Sequence, residues 1–368
     1  MRRKANRRAI RRVRTALSAA VVVCAVTAVL PTAASAEPAG VAGDLGAGVE
    51  RLSVATDGTQ GDGDSAGASI TPDGRSIVFS SSAKNLTSDP PTGGDRVFLR
   101  DQQTSQTRRL GAQSPIQPPV ISGDGEYVAY PIQWMRNTRI RLPQVSTGRE
   151  ISTNCWYSCS QPSMSTDGHS VAYAVTFSSP SPGQRVEVEN WYANTKEVIV
   201  SFDHTAPSRP SISGDGRYVA YQNGKTEDVF VRDRTGGTTT GPIDGLSKWS
   251  TLVQLSDDGS KVVYLSGSDT YVHDMGSGTA QLVPNVRGVA IDPTGRYLLY
   301  APHDTNGPSL TLRDLLTGTD EIVSNQPASA RTDAVSAGGR DVVFQSTADD
   351  IVPGDTNGKS DVFVRHFY

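Results

Sequence analysis

The chain has 368 residues, with 35 Lys and Arg against 38 Asp and Glu, and 36% of its residues are hydrophobic. Eight of the basic residues lie in the first 14 positions and no acid precedes Glu37, so residues 37–368 hold 27 basic against 38 acidic residues, a formal net charge of −11. A surface of that sign repels phosphate backbones and argues against a nucleic-acid partner.

Residues 1–36 read as a secretory signal peptide. Arg2, Arg3, Lys4 and the arginines up to Arg14 form a basic start, Ala16–Leu30 an apolar run, and Ala34-Ser35-Ala36 a small-residue cleavage site. The apolar run is short for a membrane span, and the mature chain offers no other candidate. Residues 37–48 are small and glycine-rich and read as a flexible leader. Cys24 leaves with the signal, and the pair Cys155 and Cys159 suits a disulfide in an oxidising compartment.

From residue 49 onward one phrase recurs. Ser213-Gly214-Asp215-Gly216-Arg217-Tyr218-Val219-Ala220-Tyr221 has counterparts at Asp73-Gly74, Asp124-Gly125, Asp167-Gly168, Asp258-Gly259, Thr294-Gly295 and Gly338-Gly339. The spacing of roughly 36 to 51 residues is that of propeller blades. Within each copy apolar residues alternate with period two, and Asp-Gly marks a hairpin between the first and second strands. A third-strand phrase follows, as in Asp228-Val229-Phe230-Val231-Arg232 and Asp361-Val362-Phe363-Val364-Arg365. No segment carries the 3.6-residue period of an amphipathic helix. The last copy stops after its third strand, and Val49–Val54 resembles a fourth strand without a blade. We therefore expect residues 49–368 to form an all-β, seven-bladed propeller of four-stranded antiparallel blades, its ring closed by the N-terminal strand.

The repeats Ser-x-Asp-Gly-Arg-Tyr-Val-Ala-Tyr and Asp-Val-Phe-Val-Arg-Asp resemble the TolB-type, WD40-like propeller repeats of bacterial envelope and secreted proteins. The resemblance covers nearly all of residues 49–368. It implies the fold and an extracytoplasmic setting. The additional domains that give TolB and the prolyl-oligopeptidase group their activities have no counterpart here, so those activities do not carry over.

Candidate chemistry is sparse. Gly63-Asp64-Ser65-Ala66-Gly67 matches a nucleophile-elbow pattern, but it leads into a strand where the chemistry needs a helix. The histidines His169, His204, His273, His303 and His366 fall in different blades without metal-ligand spacing. Asp355, Asn357 and Asp361 place oxygen ligands at alternating positions around Gly358, an arrangement that suits calcium; the competing reading is an Asx turn. Cys155-Trp156-Tyr157-Ser158-Cys159 sets two large rings in a disulfide-closed loop. With Trp134 and Trp249 it would share the face formed by interblade connections and second-to-third-strand turns. We expect a secreted, monomeric, non-catalytic module that binds a protein, peptide or cell-wall glycan through Trp134, Trp156, Tyr157 and Trp249. The alternative is a secreted enzyme acting on carbohydrate or a small ligand at the channel mouth. A convergent His, Asp or Glu cluster at that mouth would mark the enzyme, and an apolar aromatic patch would mark the binder.

Overall fold

The structure, a computed structural model, describes residues 48–90, 93–153, 155–178, 182–200, 206–247, 249–304 and 306–367. The signal and almost all of the leader lie outside them, as does His204. Seven four-stranded antiparallel sheets succeed one another along the chain. Blade four shows the plan, with strands Ser208–Ile212, Tyr218–Asn223, Asp228–Asp233 and Thr238–Ile243 paired in sequence order from the axis outward. The divergent third strands of blades two and three, Asn137–Pro143 and Gly183–Asn190, take the same place. Among the described residues the one helical element is a single 3-10 turn, Ala337–Gly339, and no helix is long and apolar enough to cross a membrane.

The repeated phrase has a hydrogen-bond explanation. In blade four Ser213 Oγ donates to Asp215 Oδ1 at 2.6 Å, and the same carboxylate accepts the Arg217 N–H at 2.9 Å. Tyr218 N–H then closes the turn on Ser213 Oγ at 2.9 Å. Gly216, at φ 73°, supplies the left-handed residue that the turn needs. Blade six inverts the chemistry. Asp292 stands in the serine position, takes the Thr294 hydroxyl at 2.6 Å and accepts the Arg296 and Tyr297 N–H groups at 2.7 Å each. The departure from Ser-x-Asp-Gly in that copy therefore keeps the same turn with donor and acceptor exchanged.

The rest of the phrase links the second and third strands. Arg217 pairs with Asp233 at 2.7 Å, Arg75 with Asp101 at 3.0 Å and Arg296 with Asp314 at 2.7 Å. Exposed pairs of this kind contribute at most about 1 kcal/mol each, so they fix register more than stability. Stability comes from the apolar layers between blades. Directly opposed rings stack in blades one, four, five and seven: Phe79–Phe98, Tyr221–Phe230, Tyr264–Tyr271 and Phe344–Phe363, with centroids 5.3–5.9 Å apart.

The ring closes between the chain's two ends. Val49–Arg51 pairs antiparallel with Asp361–His366 as the outermost strand of blade seven. Leu52 packs fully buried in a core shared by blades six, seven and one. Ser53 Oγ donates to Asp361 Oδ1 at 2.5 Å, and the Val362 N–H returns to Ser53 Oγ at 3.1 Å. Closure leaves no blade with an unpaired neighbour, which removes the edge that an open ring would expose.

Candidate functional site

Antiparallel order assigns the connections to two faces. The Asp-Gly turns and the third-to-fourth-strand turns lie on one. The interblade connections and second-to-third-strand turns lie on the other, so Trp134, Trp156, Tyr157 and Trp249 share that second face by topology. Cys155 and Cys159 are joined by a disulfide, both buried, with Cα atoms 6.5 Å apart. The loop they close is tied to the neighbouring turn of blade two. Asn137 Nδ2 donates to the Trp156 carbonyl at 3.3 Å and Thr138 Oγ1 to the Cys159 carbonyl at 2.7 Å.

The four aromatic residues are not equivalent. Trp134 is half-buried beneath the guanidinium groups of Arg139 and Arg141, at 5.1 and 5.8 Å from its ring. Tyr157 packs edge-on against Phe177 at 4.3 Å. Trp156 is 80% exposed, and Met135, in the blade-two turn that Asn137 ties to the Trp156 carbonyl, is 87% exposed. Trp249 is 66% exposed beside Leu246 at 90%, two blades further round. The structure thus brings Trp134, Trp156 and Tyr157 into one neighbourhood. Trp249 stands on the same face without a ring contact to them among the described residues.

The oxygen-rich loop of blade seven faces a cation of the chain's own. Arg51 pairs with Asp355 at 3.0 Å and approaches Asp361 at 3.7 Å, all three side chains buried. Asn357 Nδ2 donates to Asp361 Oδ2 at 2.9 Å and to the Gly61 carbonyl at 3.1 Å, while its Oδ1 accepts the Lys359 N–H at 2.8 Å. Burial raises the Asp361 carboxyl, and the Ser53 and Asn357 hydrogen bonds oppose the rise. As arranged, these side chains serve one another and Arg51 rather than standing open as a calcium cage. Among the described residues no three His, Cys, Asp or Glu side chains converge as a metal centre requires.

Three other sequence candidates make contacts within the fold. Ser65 is a buried strand residue whose hydroxyl donates to Ser81 Oγ at 2.8 Å. His366 Nδ1 meets Asp341 Oδ1 at 2.7 Å, and His169 stacks on Tyr192 at 4.6 Å on the opposite face.

Sequence reasoning named the channel mouth as an alternative site but none of the residues that line the axial channel. The inner strands of successive blades line it, and at the Asp-Gly end it narrows around the residues between the serine and aspartate of the phrase. There the backbones join across blades: Thr166 N–H to the Gly214 carbonyl at 2.8 Å, and Gly214 N–H to the Asp257 carbonyl at 2.7 Å. Where other blades place Pro, Gly, Thr or Ala, blade five places Asp257. Enclosure by the channel walls, with Asp333, Asp258 and Asp292 nearby, pushes its carboxyl up to about 7. No protein hydrogen bond reaches that carboxyl among the described residues. Asp333, deeper than the mouth, accepts Gln254 Nε2 at 2.8 Å, and enclosure pushes it up to about 6 against the pull of Arg331.

At the other end the channel opens into a cavity of about 260 Å³ on the face that carries Trp156 and Trp249. Gln117, Gln161, Arg209 and Arg331 give it polar atoms, and Pro118, Pro162 and Pro210 give it apolar walls. The signal available in the sequence was weak: a bulky, polar or charged residue five to seven places before the turn in every blade but the first, where Gly67 takes that place, at the point where the inner strand bulges.

The fold and this face define a seven-bladed β-propeller with an apolar rim around a basic channel mouth. No family model matches the chain, and no curated protein matches its sequence. Solved structures do. An oligogalacturonate lyase in complex with manganese is 15% identical, with TM-score 0.65 over 87% of this chain and 93% of that one. An oligogalacturonate lyase from Vibrio parahaemolyticus is 14% identical, with TM-score 0.63 over 86% and 93%. TolB from Acinetobacter baumannii is 15% identical, with TM-score 0.48 over 70% and 62%. At these identities the likeness establishes the propeller and nothing of the chemistry.

Proposed function

We propose that the chain is an exported, non-catalytic binding module that holds a protein or peptide partner on the face of its interblade connections. The observation that carries this reading is the pair of solvent-facing apolar steps on that face, Met135 with Trp156 and Leu246 with Trp249. Each combines a large exposed aromatic with an exposed apolar residue of the same or an adjoining loop, a composition enriched at the energetic centres of protein interfaces. The disulfide and the Asn137 and Thr138 hydrogen bonds hold the first step rigid, which lowers the entropy lost on binding. Export rests on the basic start, apolar run and small-residue site of residues 1–36, and the disulfide agrees with it.

The test is affinity capture from cell-envelope and culture extracts with residues 37–368, parent against a Trp156→Ala/Trp249→Ala variant. Both side chains are exposed, so the variant is expected to melt with the parent. A partner retained by the parent and lost by the variant supports the reading. Equal capture by both removes this face from consideration.

A further inference from the structure

The channel mouth presents hydrogen-bond donors with nothing of the protein's own to receive them. Gln117 Oε1 accepts the Gln161 N–H at 2.8 Å, and Gln161 Oε1 accepts the Arg209 N–H at 2.8 Å. These bonds hold Gln161 and Arg209 in left-handed backbone conformations, φ 56° and 52°, which single residues adopt only when the surroundings fix them. They also use the amide oxygens and turn both glutamine NH2 groups loose as donors. The guanidinium groups of Arg209 and Arg331 have no hydrogen bond or ion pair among the described residues. No carboxylate lines the mouth. In a chain with a formal charge of −11 after residue 36, two arginines at one opening, of which only Arg331 feels a nearby carboxylate, Asp333, stand against the general field.

We propose that this mouth binds the C-terminal carboxylate of an extended peptide, with Arg209 and Arg331 on the carboxylate and the glutamine amides on the peptide carbonyls. The proposal rests on the binding-module reading above and names the part of the partner that enters the channel. Donor-only polar atoms suit a ligand whose polar atoms accept, and guanidinium forks match a carboxylate geometrically. The apolar walls of Pro118, Pro162, Pro210, Leu252 and Val253 accept the last side chain. A sugar ring fits less well, because its hydroxyls need acceptors as well as donors. The cavity is smaller than the ~300 Å³ at which drug-sized pockets begin, which admits a chain end and not a folded surface. Arg209 and Arg331 are both exposed at the opening, so an incoming anion reaches their guanidinium groups directly.

The experiment uses residues 37–368 and an array of hexapeptides of varied sequence, each with a free C-terminal carboxylate and again as the C-terminal amide. Bound peptides are then followed by fluorescence anisotropy with Arg209→Gln, Arg331→Gln and Trp156→Ala/Trp249→Ala proteins. The expected result is at least tenfold weaker binding of each amide, and about a tenfold loss for either arginine variant with the acid form. With the amide form the arginine variants should match the parent. Carboxylate and amide binding equally, or no binding of either, would each overturn the proposal. Loss of extract capture in the tryptophan variant, with equal acid and amide binding, would retain the rim as a binding face and remove the carboxylate pocket alone.

Discussion

Asp257→Asn should make the protein more stable at neutral pH and leave it unchanged in acid. The Asp257 carboxyl faces the narrow end of the channel with no hydrogen-bond donor, and enclosure among other carboxylates pushes it from 3.8 up to about 7. Below pH 3.8 the folded and unfolded chains both hold the proton, and the residue is neutral to stability. Between about 4 and 7 the unfolded chain ionises while the folded one keeps its proton, so stability falls as pH rises and the loss is complete above 7. A shift of roughly three units corresponds to a ceiling of about 4 kcal/mol. Water in the channel relaxes part of this, and we expect about 2 kcal/mol at pH 8. For a propeller of this length, that is an increase in Tm of about 3 °C. The assay is thermal unfolding of parent and variant from pH 4 to 8, read as the difference between the two profiles. The difference matters because His366, raised by its Asp341 hydrogen bond, also loses stabilisation as pH rises, in the window above 6.5. That contribution is common to both proteins and cancels. Parallel profiles, or a variant less stable at pH 8 than the parent, would refute the account of Asp257 as a desolvated, unpaired acid.

Two further substitutions probe ring closure and the axis. Arg51→Ala leaves Asp355 and Asp361 buried without their cation, and should cost about 3 kcal/mol, measured as a fall in denaturation midpoint. Calcium and chelator should give the parent the same Tm, because the guanidinium already holds the position between the carboxylates. In Arg51→Ala, calcium should recover part of the loss; a calcium-dependent rise in the parent would show that the loop releases Arg51 to take the ion. Gly214→Val places a Cβ against Thr166 Oγ1 and the Asp257 backbone at the narrow end of the channel. Overpacking there should cost about 1–3 kcal/mol, whereas Gly237→Ala, in an open turn at φ 67°, should cost only its backbone strain.

The division between what the sequence disclosed and what it hid follows from how each feature is encoded. The blades repeat, so the turn recurs seven times with variation: Asp-Gly could be recognised as a hairpin signal, and even the Asp292 version stood at the expected interval. Ring closure was legible for the same reason, since a fourth strand at Val49 and a missing one after Asp361–His366 were the two departures from the repeat. The oxygen-rich loop suited either calcium or an Asx turn because its oxygen-bearing residues stood at alternating positions close in sequence. Its counter-ion, Arg51, lies some 300 positions away and meets it only through closure.

The lining of the channel was illegible for a deeper reason. Its charges come from a few residues in blades four, five and seven, at positions where most blades carry small or apolar side chains. Asp257, Asp333, Arg209 and Arg331 each look like an ordinary surface charge when read along the chain. Only a closed ring brings them to one axis, where enclosure changes their chemistry: two carboxyls move up toward neutrality and one guanidinium moves down. A fold built by repetition therefore places its specificity in the exceptions to the repeat. The exceptions on this axis are acidic at the narrow end and basic at the open one. An incoming anion is consequently drawn to the mouth and stopped short of the interior by Asp333 and Asp257. That polarity predicts that Asp333→Asn, which removes the nearest interior charge from Arg331, tightens binding of carboxylate-ended peptides and leaves their amides unaffected. Anisotropy with the same peptide pairs measures it, and weaker acid binding in Asp333→Asn would mean that Asp333 positions Arg331 rather than opposing the ligand.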